Sequence, residues 1–182
     1  MRSALLFALV ALLLGGNPSA AAAQEPAPSR DQVRALLSGY EHVPDAETFR
    51  SLGPGAIEVL ARLHRDPREA GFVRLRAIEA LGAFRTARVR EVLLRIARDA
   101  KAPPLFARQA VLALGQAFEG AAVDDLEPFL RHGDPLVRRA TARALARTRT
   151  DAGRRCLREH LRHEEDASVR RAIERMLTDP PG

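Results

Sequence analysis

The side chains best suited to chemistry lie in the last third of the chain. His160 and His163 stand three residues apart, flanked by Glu159, Glu164, Glu165 and Asp166. On one helix, two imidazoles at that spacing share a face and can hold a divalent metal. No third ligand stands at a recognisable spacing, however. The same residues also read as the polar C-terminal end of a helix, where His and Arg favour the dipole. Cys156 is the single cysteine and sits in Arg-Arg-Cys-Leu-Arg-Glu. It reads as a small buried apolar residue rather than a nucleophile, because no base is arranged around it in the sequence. No Gly-rich phosphate loop, carboxylate pair or Ser-His-Asp order is recognisable. The chain is therefore read as a binding protein without a catalytic residue or a cofactor, and a metal-dependent enzyme centred on His160 and His163 is the alternative. His42, His64 and His132 stand alone and are expected on the surface.

Cationic chemistry is more abundant. The formal charge is +6, and Lys101 is the only lysine, so the cations are almost all guanidinium groups. From Gln24 to Leu130, 15 basic and 15 acidic residues cancel. From Arg131 to Gly182, 13 arginines face 8 acidic residues, a balance of +5. Guanidinium groups pair bidentately with carboxylate and phosphate, so a local excess of them points to an anionic partner.

The elements that must position these residues follow from a repeat. Val73-Arg-Leu-Arg-Ala-Ile-Glu-Ala-Leu-Gly82 recurs as Phe106 to Gly115, Val137 to Ala146 and Val169 to Leu177, at spacings of 33, 31 and 32 residues. Counted from zero at the Val or Phe, positions 0, 4, 7 and 8 are apolar or small, the signature of one helical face. Asp66-Pro67, Asp134-Pro135 and Asp166 supply start signals, and Glu69 stands where a capping-box partner for Asp66 would. Gly82 and Gly115 are placed at helix ends. A second apolar-periodic segment precedes each copy: Ile57 to Leu63, Val89 to Ile96, Val123 to Leu130 and Cys156 to Leu161. Each repeat is then helix, turn, helix, and several must stack to bury a core. Asp31 to Tyr40 adds a leading helix.

The D-x-x-V-R-x-x-A pattern of Asp134 to Ala140, whose opening returns in Asp166 to Arg170, resembles the second helix of a HEAT repeat. The short period is similar to the subclass found in phycobilisome lyases, and that resemblance implies a lyase-like enzyme as a further form of the alternative. The resemblance implies an all-α, right-handed α-solenoid, armadillo-like, of about four to five HEAT-like helix pairs over residues 31–178. It also implies that Asp134, Arg138, Asp166 and Arg170 hold neighbouring turns together rather than form a site. HEAT-type hydroxylases carry several His-Glu dipeptides, whereas only His163-Glu164 matches here.

In such a solenoid the second helices line the concave surface. Positions 2, 5, 6 and 9 are expected to face away from the core. Position 2 carries Leu75, Arg108, Arg139 and Arg171; position 6 carries Glu79, Leu112, Arg143 and Arg175. Leu75, Ile78, Val111 and Leu112 are accordingly expected as outward apolar side chains of a contact surface. Glu159, Glu164, Glu165 and Asp166 are close enough in sequence to neutralise part of the arginine cluster. The partner candidates are an acidic protein or another anionic envelope component. Nucleic acid is disfavoured, because aromatics make up 4% of the chain and stacking platforms are scarce.

Arg2 followed by the apolar run Ala4 to Leu14 and by Ala21-Ala22-Ala23 reads as a signal segment cut after Ala23, with a retained N-terminal anchor as the competing reading. The run is shorter than the roughly 20 residues a membrane-spanning helix needs. The expected organisation is a signal peptide over 1–23, a linker over 24–30, the repeats over 31–178 and a tail over 179–182. The expected destination is the periplasm or the exterior.

Overall fold

Helices in this chain begin mostly where a short polar side chain can satisfy an orphan backbone N–H. The computed structural model describes residues 27–39 and 44–178. Helix α1 (Arg30–Ser38) opens with a reciprocal capping box between Ser29 and Gln32. Asp45 caps α2 (Ala46–Ser51), and α3 (Ala56–Arg65) and α4 (Gly71–Leu81) follow. Thr86 caps α5 (Ala87–Ala97), and α6 (Pro104–Phe118) starts on a proline. Two 3-10 turns flank the four-residue α7 (Val123–Leu126) and bring the chain to Arg131. The Asp134 carboxylate accepts from the Leu136 and Val137 N–H groups at the start of α8 (Pro135–Arg147). Thr150 caps α9 (Asp151–Leu161). Asp166 accepts from the N–H groups of Ser168 and Val169 at the start of α10 (Ala167–Thr178).

No strand occurs among the described residues. Helices α4, α6, α8 and α10 stack side by side as a spine, each against the next. Along the spine, α3 packs on α4, α5 on α6, the α7 segment on α8 and α9 on α10, while α1 covers α3 and α4. This is the all-α solenoid of helix pairs that the repeat implies. Its core is continuous: Leu60, Leu63, Leu81, Leu93, Leu114, Leu126, Leu145, Leu157 and Ile173 are all fully buried. Each such side chain contributes roughly 1.5–3 kcal/mol of burial.

Ion pairs staple successive units. Arg30 reaches Asp66 and Glu69, and Arg34 reaches Glu69, tying α1 to the α3–α4 turn. Arg88 pairs with Glu58 across α5 and α3, and Arg90 with Asp125 across α5 and α7. Arg138 on α8 reaches Glu164 in the α9–α10 turn.

Several expectations need correction. Position 5 is not outward in the first three copies, where Ile78, Val111 and Ala142 are fully buried; in the last copy it is Glu174, which is exposed. A second helix touches its own partner helix and two neighbouring second helices, so its buried arc is wider than a single stripe. Asp66 and Glu69 do not cap α4, which starts later, after Ala70. Asp66 instead ends α3, and both carboxylates serve the α1 arginines. Gly115 lies inside α6, not at its end. A Cβ there would fall 2.8 Å from the Ala144 Cβ, so glycine is what lets α6 and α8 approach so closely. Gly82 does stand at the end of α4. The signal segment, Tyr40, His42 and the tail after Thr178 lie outside the described residues.

Candidate functional site

The repeat sorts the arginines by position. At position 1, guanidinium groups tie the helix to the turn before it. Arg74 donates to the His64 carbonyl, Arg138 to those of His132 and Gly133, and Arg170 to that of Glu164. Asp134 and Asp166 cap the last two of these helices, α8 and α10, so this Asp–Arg set is architecture, as the resemblance implies. At position 3, Arg76 donates to the carbonyls of Leu37 and Gly39. These cations are committed.

Positions 2 and 6 differ. Arg139, Arg143, Arg171 and Arg175 are exposed and Arg108 is half-buried. None of the five guanidinium groups makes a hydrogen bond or ion pair with another described residue. The nearby carboxylates are engaged elsewhere or stand apart. Glu164 is buried against Arg138 and His160, Asp166 caps α10, and Glu159 lies near Arg162. The neutralisation that the sequence allows therefore does not occur among the described residues.

Helices α6, α8 and α10 bring four of the five together. Arg108, Arg139, Arg143 and Arg175 line an open groove of about 330 Å³ with Leu112, Leu136, Ala140, Ala172 and Met176. The groove has a cationic rim, an apolar floor and no carboxylate in its lining. Arg171 is exposed on α10 outside the lining, and Leu75 on α4 is partly buried against the core. Leu136 and Met176 were not foreseen. Leu136 stands one residue before the repeat's first core position, and a helix turning 100° per residue puts that position on the same arc as positions 2 and 6.

The histidine cluster is a different place. A cavity of about 430 Å³ is lined by Glu127, His132, Arg138, Cys156, His160, His163 and Glu164, among others. His160 Nε2 lies 2.7 Å from Glu164 Oε2, while His163 is exposed. No three His, Cys, Asp or Glu side chains among the described residues are grouped so as to hold a metal. Burial alone would raise the Glu164 carboxyl. The Arg138 guanidinium, the Asp166 N–H and His160 outweigh it and hold the group at about 2. Burial and then Glu127 push the Cys156 thiol up, which keeps it protonated and a poor nucleophile.

His64 is not a surface residue. It is 7% exposed, packs edge-on to Phe106 at 5.1 Å, and its Nδ1 has no hydrogen-bond partner among the described residues. Burial, reinforced by the Arg74 charge, depresses it to about 4. The fold therefore requires a neutral imidazole. Stability is complete above the ordinary value of 6.5 and falls as the pH drops toward 4. Between pH 7 and pH 5 the loss should be about 1–2 kcal/mol. Urea midpoints of His64→Leu should be nearly flat over that interval; a wild-type midpoint equally flat would contradict the assignment.

Comparison with protein families matches residues 100–178 to HEAT repeats. The match spans α6 to α10, the stretch that builds the groove. Comparison with curated proteins gives no match. HEAT repeats serve in general as scaffolds and protein-interaction units.

Proposed function

We propose that this chain, which carries HEAT repeats over residues 100–178, is an exported, non-catalytic binding module that holds an acidic partner protein in the α6–α8–α10 groove. One observation carries the reading. The arginines at positions 1 and 3 are spent on the fold, whereas four of the five at positions 2 and 6 line an apolar-floored groove whose lining holds no carboxylate. A solvated helix face would mix its arginines with glutamates, as α5 does with Arg88, Glu91 and Arg95. Guanidinium groups aimed into an open groove instead favour carboxylates brought by another molecule.

Changing Arg139, Arg143, Arg171 and Arg175 together to Ser tests this. Retention on an acidic ligand, or of partners from envelope extract, should fall at least 10-fold, and the salt dependence of the residual binding should flatten. Unchanged retention would reject the groove. The export half of the proposal rests on the N-terminal apolar run and its small-residue site. Sequencing of the secreted protein should begin at Gln24, and retention of Met1 would contradict cleavage.

A further inference from the structure

The large hydrophobic side chains left most exposed among the described residues are Phe72, Leu105 and Leu136, at 43%, 43% and 45%. They fall on α4, α6 and α8, and each stands one residue before the first core position of its repeat. Three exposed apolar side chains at one repeat position form a row across neighbouring helices rather than a scatter. Scattered surface hydrophobes are ordinary; a row is the mark of a contact surface. Leu136 belongs also to the arginine groove, so the apolar row runs into the cationic one.

The spacing of that row constrains what can follow it. Packed helices lie 8–10 Å apart. A polyproline-II segment has three residues per turn and rises about 3.1 Å per residue, so every third side chain returns to one face about 9 Å further on. Glu-rich segments repel themselves into extended forms, which makes this conformation accessible to an acidic chain.

We propose that the groove takes an extended, acidic segment of a partner protein with an apolar side chain at every third position. Its apolar side chains seat along Phe72, Leu105 and Leu136, and its carboxylates meet Arg139, Arg143 and Arg175. This inference rests on the reading of the groove as the binding site of an acidic protein, and it adds the register and the apolar component of the ligand.

The probes are two synthetic peptides of equal charge, (Glu-Glu-Leu)5 and (Glu-Glu-Gln)5, titrated against the purified full chain at low salt. The Leu peptide should bind at least 10-fold more tightly. Phe72→Ser/Leu105→Ser, at the two positions of the row outside the groove lining, should bring it close to the level of the Gln peptide and leave Gln-peptide binding unchanged. Both positions are exposed, and an unchanged melting curve verifies that the variant is folded. Equal, salt-sensitive affinity for both peptides would overturn the inference and leave the anionic groove standing. Binding of neither peptide would overturn both readings. Preferential binding to phosphatidylglycerol vesicles over either peptide would assign the face to a lipid surface and overturn the inference.

Discussion

Replacing Glu164 with Ala is expected to destabilise the fold by about 3–5 kcal/mol, the cost of leaving a buried partner charge uncompensated. The Glu164 side chain is 1% exposed and the Arg138 side chain 16%. Arg138 Nε and Nη2 donate to its two oxygens at 2.9 and 2.7 Å, the Asp166 N–H donates at 2.9 Å, and His160 adjoins it. Truncation therefore strands a guanidinium, an imidazole and a backbone donor at once. It also loosens the α9–α10 turn, whose Glu164 carbonyl holds Arg170. For a chain of this size the thermal midpoint should drop by roughly 10–15 °C. Glu164→Gln keeps the shape and some of the hydrogen bonds, so it should lose clearly less. The acid branch gives a second check. Because the folded carboxyl sits at about 2, below its ordinary 4.5, its contribution is full above pH 4.5 and lost as the pH falls toward 2. Thermal melts at pH 7 and pH 3 should converge for wild type and Glu164→Gln. A gap that stays constant with pH would show that charge is not what the site uses.

Gly115→Leu is expected to cost about 3 kcal/mol or more, and Gly115→Ala about 1 kcal/mol net. A Cβ at residue 115 meets the Ala144 Cβ at 2.8 Å and the Ala144 Cα at 3.3 Å. Neither atom can swing aside, since one belongs to a methyl on a packed helix and the other to its backbone. Mid-helix Gly→Ala would ordinarily gain roughly 0.5–1 kcal/mol in helix propensity, so a net loss isolates the steric term. Ala144→Gly should recover part of the Gly115→Ala loss in a double-mutant cycle, with a coupling of about 1 kcal/mol measured by urea denaturation. Additive effects would mean that the two helices part freely at this joint.

The repeat was legible because its spacing is set by geometry that every copy shares. The second helices fell where Val73, Phe106, Val137 and Val169 put them, and Asp134 and Asp166 capped as their positions imply. What failed depends on partners far along the chain. Position 5 was read as outward because a single amphipathic stripe says nothing of the neighbouring second helices that bury Ile78 and Val111. His64 carries no local sign that Phe106, 42 residues later, will cover it. Asp66 had the look of a cap, but Arg30 and Arg68 claim its carboxylate. For the groove, positions 2 and 6 were readable by rotation, whereas the commitment of Glu164 to Arg138 needed three dimensions.

Among the described residues, the packed interfaces of the spine run from each second helix to its immediate neighbours, and no interface of comparable size ties α4 to α10. Such a structure behaves mechanically as a leaf spring. A slight tilt at each of its joints accumulates along the row, and the rims of the groove travel further than the helix axes that carry them. A ligand gripping α6, α8 and α10 together would stiffen that spring and fix its bend. The molecule could then register occupancy as a change in its own curvature, detectable as a shift in end-to-end distance.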